Sequence, residues 1–246
     1  MNLAESPNIE FPTPSASVQK LVEKAVRDFS LIENGDRVAV GISGGKDSLL
    51  LYLALDQLRR RADLEFELSA VHLDQKQTGF DRQSFDATLQ MLGIPCVVVE
   101  EDTHSVVQEH LKPGQIPCSI CGRLRRGILN RYCDENGFTK LALGHHLDDA
   151  VETFFLNLLY QRKLDPLKAL TPSERGVATV RPLILVEERK IQAWIAQYGL
   201  SPVACPVCDD YPQSRRRDLK QLLTQFEKLQ PEFRESVRAA LYGVSP

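Results

Sequence analysis

The chain lacks three features, of which the first two argue against particular classes of protein and the third limits how a nucleic acid could bind. None of its apolar runs approaches the roughly 18 residues that a membrane-spanning helix requires. Residues 1–7 contain no basic region followed by an apolar segment, so we expect no secretory signal. Positive charge is not in excess, since the net charge is −3. A nucleic-acid partner would therefore have to be held by local basic patches rather than by the overall field of the protein.

Cysteine is absent from the first part of the chain, because none of the six cysteines precedes Cys96. Four of them form two Cys-x-x-Cys pairs, Cys118 with Cys121 and Cys205 with Cys208. In a reducing cytosol such pairs act as metal ligands or redox groups before they act as disulfides. Their long separation does not match a compact zinc ribbon, whose spacer is roughly 15–20 residues. Four thiolates still suit zinc or an iron–sulfur cluster, and two unrelated reduced pairs are the remaining alternative. The other two cysteines we interpret as buried small side chains.

The most informative segment is residues 41–48, Gly-Ile-Ser-Gly-Gly-Lys-Asp-Ser, between a strand-like apolar stretch and an apolar-periodic one. A strand, a glycine-rich turn and a helix present backbone N–H groups to a phosphate. The spacing is not that of the mononucleotide P-loop. Instead Lys46 is followed by Asp47, a carboxylate that Mg²⁺ can bridge to a phosphate. The predicted phosphate-binding residues are Ser43, Gly44, Gly45, Lys46, Asp47 and Ser48.

Strand-like runs alternate with helical patterns of 10–15 residues, which predicts an α/β fold with a doubly wound, mostly parallel sheet and C-terminal helices. We divide the chain into a mobile tail (1–16), a nucleotide-binding α/β domain with the first cysteine pair (17–200) and a C-terminal segment with the second pair and two helices (201–246). In such sheets the ligand binds beyond the carboxyl ends of the strands. Segments 43–48, 74–77 and 144–149 all follow strands, so we expect them at one edge.

The segment Gly-His-His-Leu-Asp-Asp at residues 144–149 follows a predicted strand and opens a predicted helix. Asp148 and Asp149 at a helix start are favoured by the helix dipole, and they are placed to hold Mg²⁺ or to orient a reacting group. A simple helix cap is the alternative. The two histidines lack the spacing of a zinc-enzyme site. From this edge we take Asp74, Gly144, His145 and Asp148 as candidate cofactor-binding residues and Asp149 as a candidate catalytic residue.

Arginine clusters follow both cysteine pairs, at residues 123–126 and 215–217. A less dense group of basic residues lies at 162, 163 and 168. A basic run is often only a solvated face of a helix. Two clusters, each next to a cysteine pair, favour contact with RNA phosphates close to the cysteine site.

The glycine-rich run resembles the pyrophosphate loop (PP-loop) of the ATP pyrophosphatase superfamily, whose members cleave ATP between the α and β phosphates. With the other motifs, in this order, it resembles the tRNA 2-thiocytidine synthetase family over roughly residues 17–240. The further segments of the resemblance are 73–77, 118–129, 144–149, 155–157, 181–183 and 205–208. The implied fold is the adenine nucleotide alpha hydrolase-like PP-loop fold.

The resemblance also implies a reaction and its cofactors. ATP and Mg²⁺ would activate the C2 oxygen of a tRNA anticodon-loop cytidine, at position 32, and sulfur would replace that oxygen through a 4Fe–4S cluster. The implied cluster ligands are Cys118, Cys121 and Cys205, with Cys208 the alternative third ligand and otherwise a catalytic residue. Lys46 and Asp47 would be catalytic. The implied setting is the cytoplasm, with tRNA and a cysteine desulfurase as partners and a homodimer as an option.

Three segments depart from the family pattern: Leu147 stands in place of an arginine, 161–164 in place of a Gly-Gly-x-Met segment, and 209–211 in place of a Gly-Ser-Gln sequence. All three touch expected RNA-facing regions, so the base that is modified stays open. The alternatives are a thiolase acting on another base, a cluster-free PP-loop ligase, and a non-catalytic metal-binding protein. The four paired cysteines count against the ligase, and the intact PP-loop counts against the last.

Overall fold

A six-stranded sheet forms the centre of the molecule, in a computed structural model that describes residues 12–61, 63–111, 117–173, 176–203 and 215–243. The strand order is β3-β2-β1-β4-β6-β5. The strands are β1 (Arg37–Gly41), β2 (Glu67–Asp74), β3 (Cys96–Glu100), β4 (Lys140–Ala142), β5 (Leu170–Thr171) and β6 (Ala178–Val180).

All strand pairs are parallel except β5 with β6, which is antiparallel. The order reverses between β1 and β4, because the chain moves outward from β1 to β3 and then returns to the other side of β1 for β4. Such a reversal opens a crevice at the carboxyl ends of the two strands. The prediction of a mostly parallel, doubly wound α/β fold is therefore confirmed.

Helices cover both faces of this sheet. They are α1 (Ala16–Asp28), α2 (Lys46–Arg59), α3 (Arg82–Met91), α4 (Thr103–His110), α5 (Cys118–Glu135), α6 (Leu147–Leu156), α7 (Glu188–Gln197), α8 (Arg215–Leu229) and α9 (Phe233–Tyr242). A π-helical turn, Asn157–Gln161, continues α6. Two elements were not predicted, α4 and the two-residue strand β5. The first cysteine pair lies within the first turn of α5.

Two apolar clusters fill the space on either side of the sheet. The larger one packs α1, α2 and α7 against β1 and β2, with Leu50, Leu55 and Ile184 fully buried. The smaller one packs α5 against the opposite face through Leu129 and Leu141. Because the strands are buried on both faces, their sequences are near-continuous apolar runs.

The C-terminal helices attach to α6 through a third cluster, in which Leu219 and Leu223 of α8 contact Leu147 and Val151 of α6. At the other end of the described chain, Trp194 of α7 donates a hydrogen bond to the carbonyl oxygen of Thr13 at 3.1 Å. The division of the chain into three parts stays a prediction. No helix among the described residues is long and apolar enough to cross a membrane.

Candidate active site

A cavity of about 450 Å³ opens at the carboxyl ends of β1, β2 and β4. It receives residues from all three of the loops that the sequence places at this edge. The predicted site residues that line it are Ser43, Gly45, Asp47, Ser48, Asp74, Gly144, His145 and Asp149. The structure therefore brings together eight of the predicted positions, although they come from segments far apart in the chain.

The PP-loop is organised by its two serines. The backbone N–H of Ser43 donates to Ser48 Oγ at 3.2 Å, and Ser48 Oγ donates to the carbonyl oxygen of Gly45 at 2.9 Å. Gly44 adopts a φ of +83°, and a Cβ there would fall 3.0 Å from the ring of Phe85. The loop thus requires glycine at this position both for its conformation and for space. The N-terminus of α2 then follows at Lys46 and directs backbone N–H groups toward the cavity edge.

Lys46 does not line the cavity, although it belongs to the loop. Its ammonium lies 3.1 Å from Asp47 Oδ1 and 3.0 Å from Glu188 Oε1. Burial lowers the pKa of Lys46, but the two carboxylates outweigh it and leave that pKa above its ordinary value. The contact with Lys46 also affects Glu188. Burial would raise the pKa of Glu188, but Lys46 and Lys220 outweigh that effect and lower the pKa to about 2.

Asp47 presents an oxygen that has the character of a cation ligand. Burial raises the pKa of Asp47 above its ordinary value, although His146 and Lys46 oppose the rise. Its Oδ2 accepts a hydrogen bond from Lys46 at 3.3 Å, and its buried Oδ1 lies 3.1 Å from the same ammonium without an aligned hydrogen bond. A carboxylate oxygen of this kind, at the wall of a cavity beside the glycine-rich loop, fits Mg²⁺. The residues present therefore fit the metal that the loop chemistry implies.

His145 and Asp149 line the cavity on the opposite side, next to β4. Burial lowers the pKa of His145 to about 4, with Asp149 opposing the shift and Arg181 adding to it. The ring is therefore neutral at neutral pH and can accept or donate a hydrogen bond without carrying charge. Asp149 caps its own helix by accepting from the backbone N–H of His146 at 3.1 Å.

Asp148 is not among the residues that line the cavity. Its Oδ2 accepts a hydrogen bond from the backbone N–H of Glu188 at 2.6 Å, and its Oδ1 pairs with Arg234 at 2.6 Å. Both oxygens are thus engaged in joining α6 to α7 and α9. This geometry supports a structural task for Asp148, so that of these two adjacent aspartates only Asp149 lines the cavity.

Cys121 lies beside the end of β2, at the margin of the cavity. Its thiol donates to Gln75 Oε1 at 3.1 Å, and the amide nitrogen of Gln77 lies 3.8 Å from its sulfur. Both glutamines line the cavity. Cys118 opens the same helix three residues earlier. The side chain of Cys118, and Cys205 and Cys208 altogether, lie outside the described residues.

Arginines from both predicted clusters reach the cavity. Arg125 and Arg126 of α5 line it, and so does Arg216 of α8. Arg216 also pairs with the buried Glu152, its Nε lying 2.9 Å from the carboxylate. The three cations share the lining with the carboxylates of Asp47, Asp74 and Asp149, so they offer local contacts to an anionic ligand rather than an overall positive field.

Sequence reasoning missed His72, Glu152 and Glu188. His72 Nδ1 lies 2.8 Å from the carbonyl oxygen of Ile42, and the ring lines the cavity. Because a carbonyl only accepts, Nδ1 is the donor, and burial lowers the pKa of His72. A histidine inside an apolar strand was a visible signal. The two glutamates gave none, because their partners are remote in sequence.

Comparison with known proteins gives three concordant findings. The PP-loop domain family matches residues 14–212. The tRNA-cytidine(32) 2-sulfurtransferase of Bdellovibrio bacteriovorus is 39% identical over 241 residues, which cover 97% of this chain and 92% of the relative. That of Pseudomonas fluorescens is 44% identical over 227 residues, covering 91% and 82%. Among solved structures, this chain is similar to the U34-tRNA thiolase NcsA of Methanococcus maripaludis with its [4Fe-4S] cluster. The TM-score is 0.70 at 23% identity, and the match covers 92% of this chain and 76% of that one. This similarity supports the fold.

Proposed function

This chain belongs to the tRNA-cytidine(32) 2-sulfurtransferase family of PP-loop proteins, and from that membership we propose that it is an ATP-dependent tRNA thiolase acting on cytidine. The product is 2-thiocytidine at position 32. The proposal is supported by a cavity that combines a glycine-rich loop, a thiol at its margin and arginines in its lining.

The reaction has two stages, and neither involves net oxidation or reduction. In the first, the C2 oxygen of the cytidine attacks the α-phosphorus of ATP, the bond to the bridging oxygen of the β-phosphate breaks, and pyrophosphate leaves. In the second, sulfur at the sulfide level forms the C2–S bond, the C2–O bond breaks, and AMP leaves with the electron pair.

Residues of the PP-loop perform the first stage. The backbone N–H groups at the start of α2 and the hydroxyls of Ser43 and Ser48 would bind the phosphates, and Asp47 would hold Mg²⁺. Lys46 supplies positive charge as pyrophosphate leaves. Asp149 and the neutral His145 lie across the cavity, where they can orient the cytidine. Asp74 and Gly144 complete the wall on either side of the loop.

Cysteines supply the second stage. Cys118 and Cys121, one helical turn apart on α5, are soft thiolate donors, which fits a 4Fe–4S cluster. Cys205 is proposed as the third ligand and Cys208 as its alternative. When bound, the cluster supplies sulfide, and the position of Cys121 beside Gln75 brings that chemistry to the cavity margin. We further propose that a cysteine desulfurase supplies the sulfur, that the protein forms a homodimer and that it works in the reducing cytosol.

The observation that supports the proposal most directly is the contact of Cys121 with Gln75, because it joins the thiol to the wall of the cavity that the PP-loop opens into. The test is anaerobic purification, iron and sulfide analysis, and an assay with an anticodon stem-loop carrying cytidine at position 32. We expect about four irons and four sulfides per chain, lost in Cys121→Ala and retained in Cys96→Ala, a half-buried cysteine on β3.

Three results would separate the alternatives. Tightly held zinc without iron would overturn the cluster chemistry. Pyrophosphate release with a stem-loop that carries uridine, and none with cytidine, would overturn the choice of base. ATP binding without any pyrophosphate release, with either RNA, would overturn the enzyme.

A further inference from the structure

The ammonium of Lys46 has a partner that lies outside the PP-loop. Glu188, the first residue of α7, places Oε1 at 3.0 Å from Lys46 Nζ. The two side chains are only 24% and 21% exposed, so solvent screens this pair less than a surface pair. Glu188 is itself fixed in place, because its backbone N–H donates to Asp148 Oδ2 at 2.6 Å.

Glu188 has a second cation on its other oxygen. Lys220 of α8 lies 3.3 Å from Glu188 Oε2, and the same ammonium lies 3.5 Å from Glu152. The Glu188 carboxylate therefore keeps a positive partner if Lys46 leaves. Lys46, in turn, sits one residue before Asp47, which lines the cavity, so a change of side-chain conformation is enough to bring its ammonium toward bound phosphates.

We infer that Glu188 is a positioning residue for Lys46: it holds the ammonium beside the cavity and competes with the β and γ phosphates of the nucleotide for it. The exchange is feasible because Lys220 remains to neutralise Glu188 once Lys46 has moved. This inference rests on the proposed binding of ATP in the cavity. It assigns a role to a residue that lies more than 130 positions from the loop in sequence.

The test measures binding of a non-hydrolysable ATP analogue with Mg²⁺ by calorimetry. In Glu188→Gln the competing charge is gone, and we expect the analogue to bind about three- to tenfold more tightly, within the range of measured pairwise couplings. AMP, which has neither a β nor a γ phosphate, should bind with unchanged affinity. Glu187→Gln is the matched control, because it removes the same charge one residue earlier from a side chain that pairs with Arg189 instead.

A double-mutant cycle separates an effect through Lys46 from a general gain in affinity for anions. In a Lys46→Met background, Glu188→Gln should leave the affinity for the analogue unchanged. Glu188→Asp keeps the charge but shortens the side chain, so it should also tighten binding when Lys46 is present. Thermal unfolding of each variant shows whether the fold is retained.

The inference is overturned if Glu188→Gln binds the analogue as the wild type does or more weakly. It is also overturned if the gain persists in the Lys46→Met background, because the effect would then be that of charge alone. Failure of the wild-type protein to bind the analogue at all would instead overturn the proposed function, so the two failures are distinguishable.

Discussion

A Cβ built on Gly144 would lie 3.0 Å from the backbone nitrogen of Ser48 and equally close to the backbone carbon of Asp47. These are backbone atoms, which cannot rotate away as the end of a side chain can. Gly144 follows β4, and Ser48 lies in the first turn of α2 after β1. The two loops on either side of the crevice therefore touch backbone to backbone, and this contact sets the width of the cavity.

Substitution of Gly144 by alanine should widen that contact. We expect Gly144→Ala to lower the free energy of unfolding by about 1–3 kcal/mol, the range typical of overpacking. It should also weaken nucleotide binding at least about tenfold, because the loop that holds the phosphates is displaced. Urea unfolding and calorimetry with ATP measure the two effects.

Gly127 provides the matched control. It lies in the interior of α5, and a Cβ there meets no atom within 4 Å. Gly127→Ala should leave nucleotide affinity unchanged and raise the free energy of unfolding by about 0.5–1 kcal/mol, since alanine is the better helix former. Equal effects of the two substitutions would contradict the role given to the Gly144 contact.

The buried His145 should make the protein less stable in mild acid. Its pKa in the folded state is about 4, against an ordinary value of 6.5 that applies to the unfolded chain. Between these values the unfolded state binds the proton and the folded state does not. The contribution to the free energy of unfolding is thus fully present above pH about 6.5 and is lost as the pH falls toward about 4.

His145→Gln removes this titration, so its free energy of unfolding should fall less steeply than that of the wild type between pH about 6.5 and 4. Urea unfolding at a series of pH values in that window measures the slopes. His110→Gln is the control, because His110 is exposed at the end of α4. Parallel curves for wild type and His145→Gln would show that the ring does not stay neutral in the folded protein.

Asp148 and Arg234 form a buried pair between α6 and α9, with side chains only 9% and 16% exposed. Arg234→Met would leave the carboxylate buried without its cation, and we expect a loss of about 3 kcal/mol in the free energy of unfolding. Arg27→Met should cost less than about 1 kcal/mol, because Arg27 is 71% exposed and its partner Asp28 keeps Lys24 at 3.3 Å. Urea unfolding compares the two, and a similar cost for both would refute the structural task given to Asp148.

Local pattern was sufficient for much of the fold and for the loop itself. The run 41–48 specifies its own conformation, since the strand before it, the glycines within it and the helix after it all agree. The rule that ligands bind at the carboxyl ends of parallel strands also predicts, from sequence alone, that Asp74, Gly144 and Asp149 share one edge. The helix α4 was missed although Asp102 caps it by accepting from the backbone N–H of Ser105 at 3.0 Å.

The direction of individual side chains, and contacts between residues far apart in the chain, could not be predicted from the sequence. Asp148 and Asp149 are adjacent at a helix start, about 100° apart around its axis, so pattern alone cannot say which one faces the cavity. Glu188 and Glu152 acquire their importance from Lys46, Lys220 and Arg216, which are distant in the chain. The short strand β5 has too few residues to produce an alternating pattern.

Tyr160 offers an exposed aromatic surface beside α8, the helix that supplies Arg216 to the cavity. It lies in the π-helical turn after α6, it is 52% exposed, and the guanidinium of Arg215 lies 4.4 Å from its ring centroid. The next residue, Arg216, lines the cavity. We predict that RNA bound along α8 contacts this aromatic ring and the two arginines, a combination on which unpaired bases stack.

Tyr160→Ala should weaken binding of an anticodon stem-loop by about 5- to 150-fold, since stacking of one base on an aromatic side chain contributes about 1–3 kcal/mol. Tyr160→Phe should bind as the wild type does, because the ring is retained. Leu229→Ala is the control for loss of an exposed apolar side chain, as Leu229 is 83% exposed.

Fluorescence anisotropy with a labelled stem-loop gives the affinities. Light scattering tests the competing hypothesis that the surface around Tyr160 joins two copies of the chain. Unchanged RNA affinity in Tyr160→Ala, together with a change in molecular mass, would assign the surface to self-association instead of RNA.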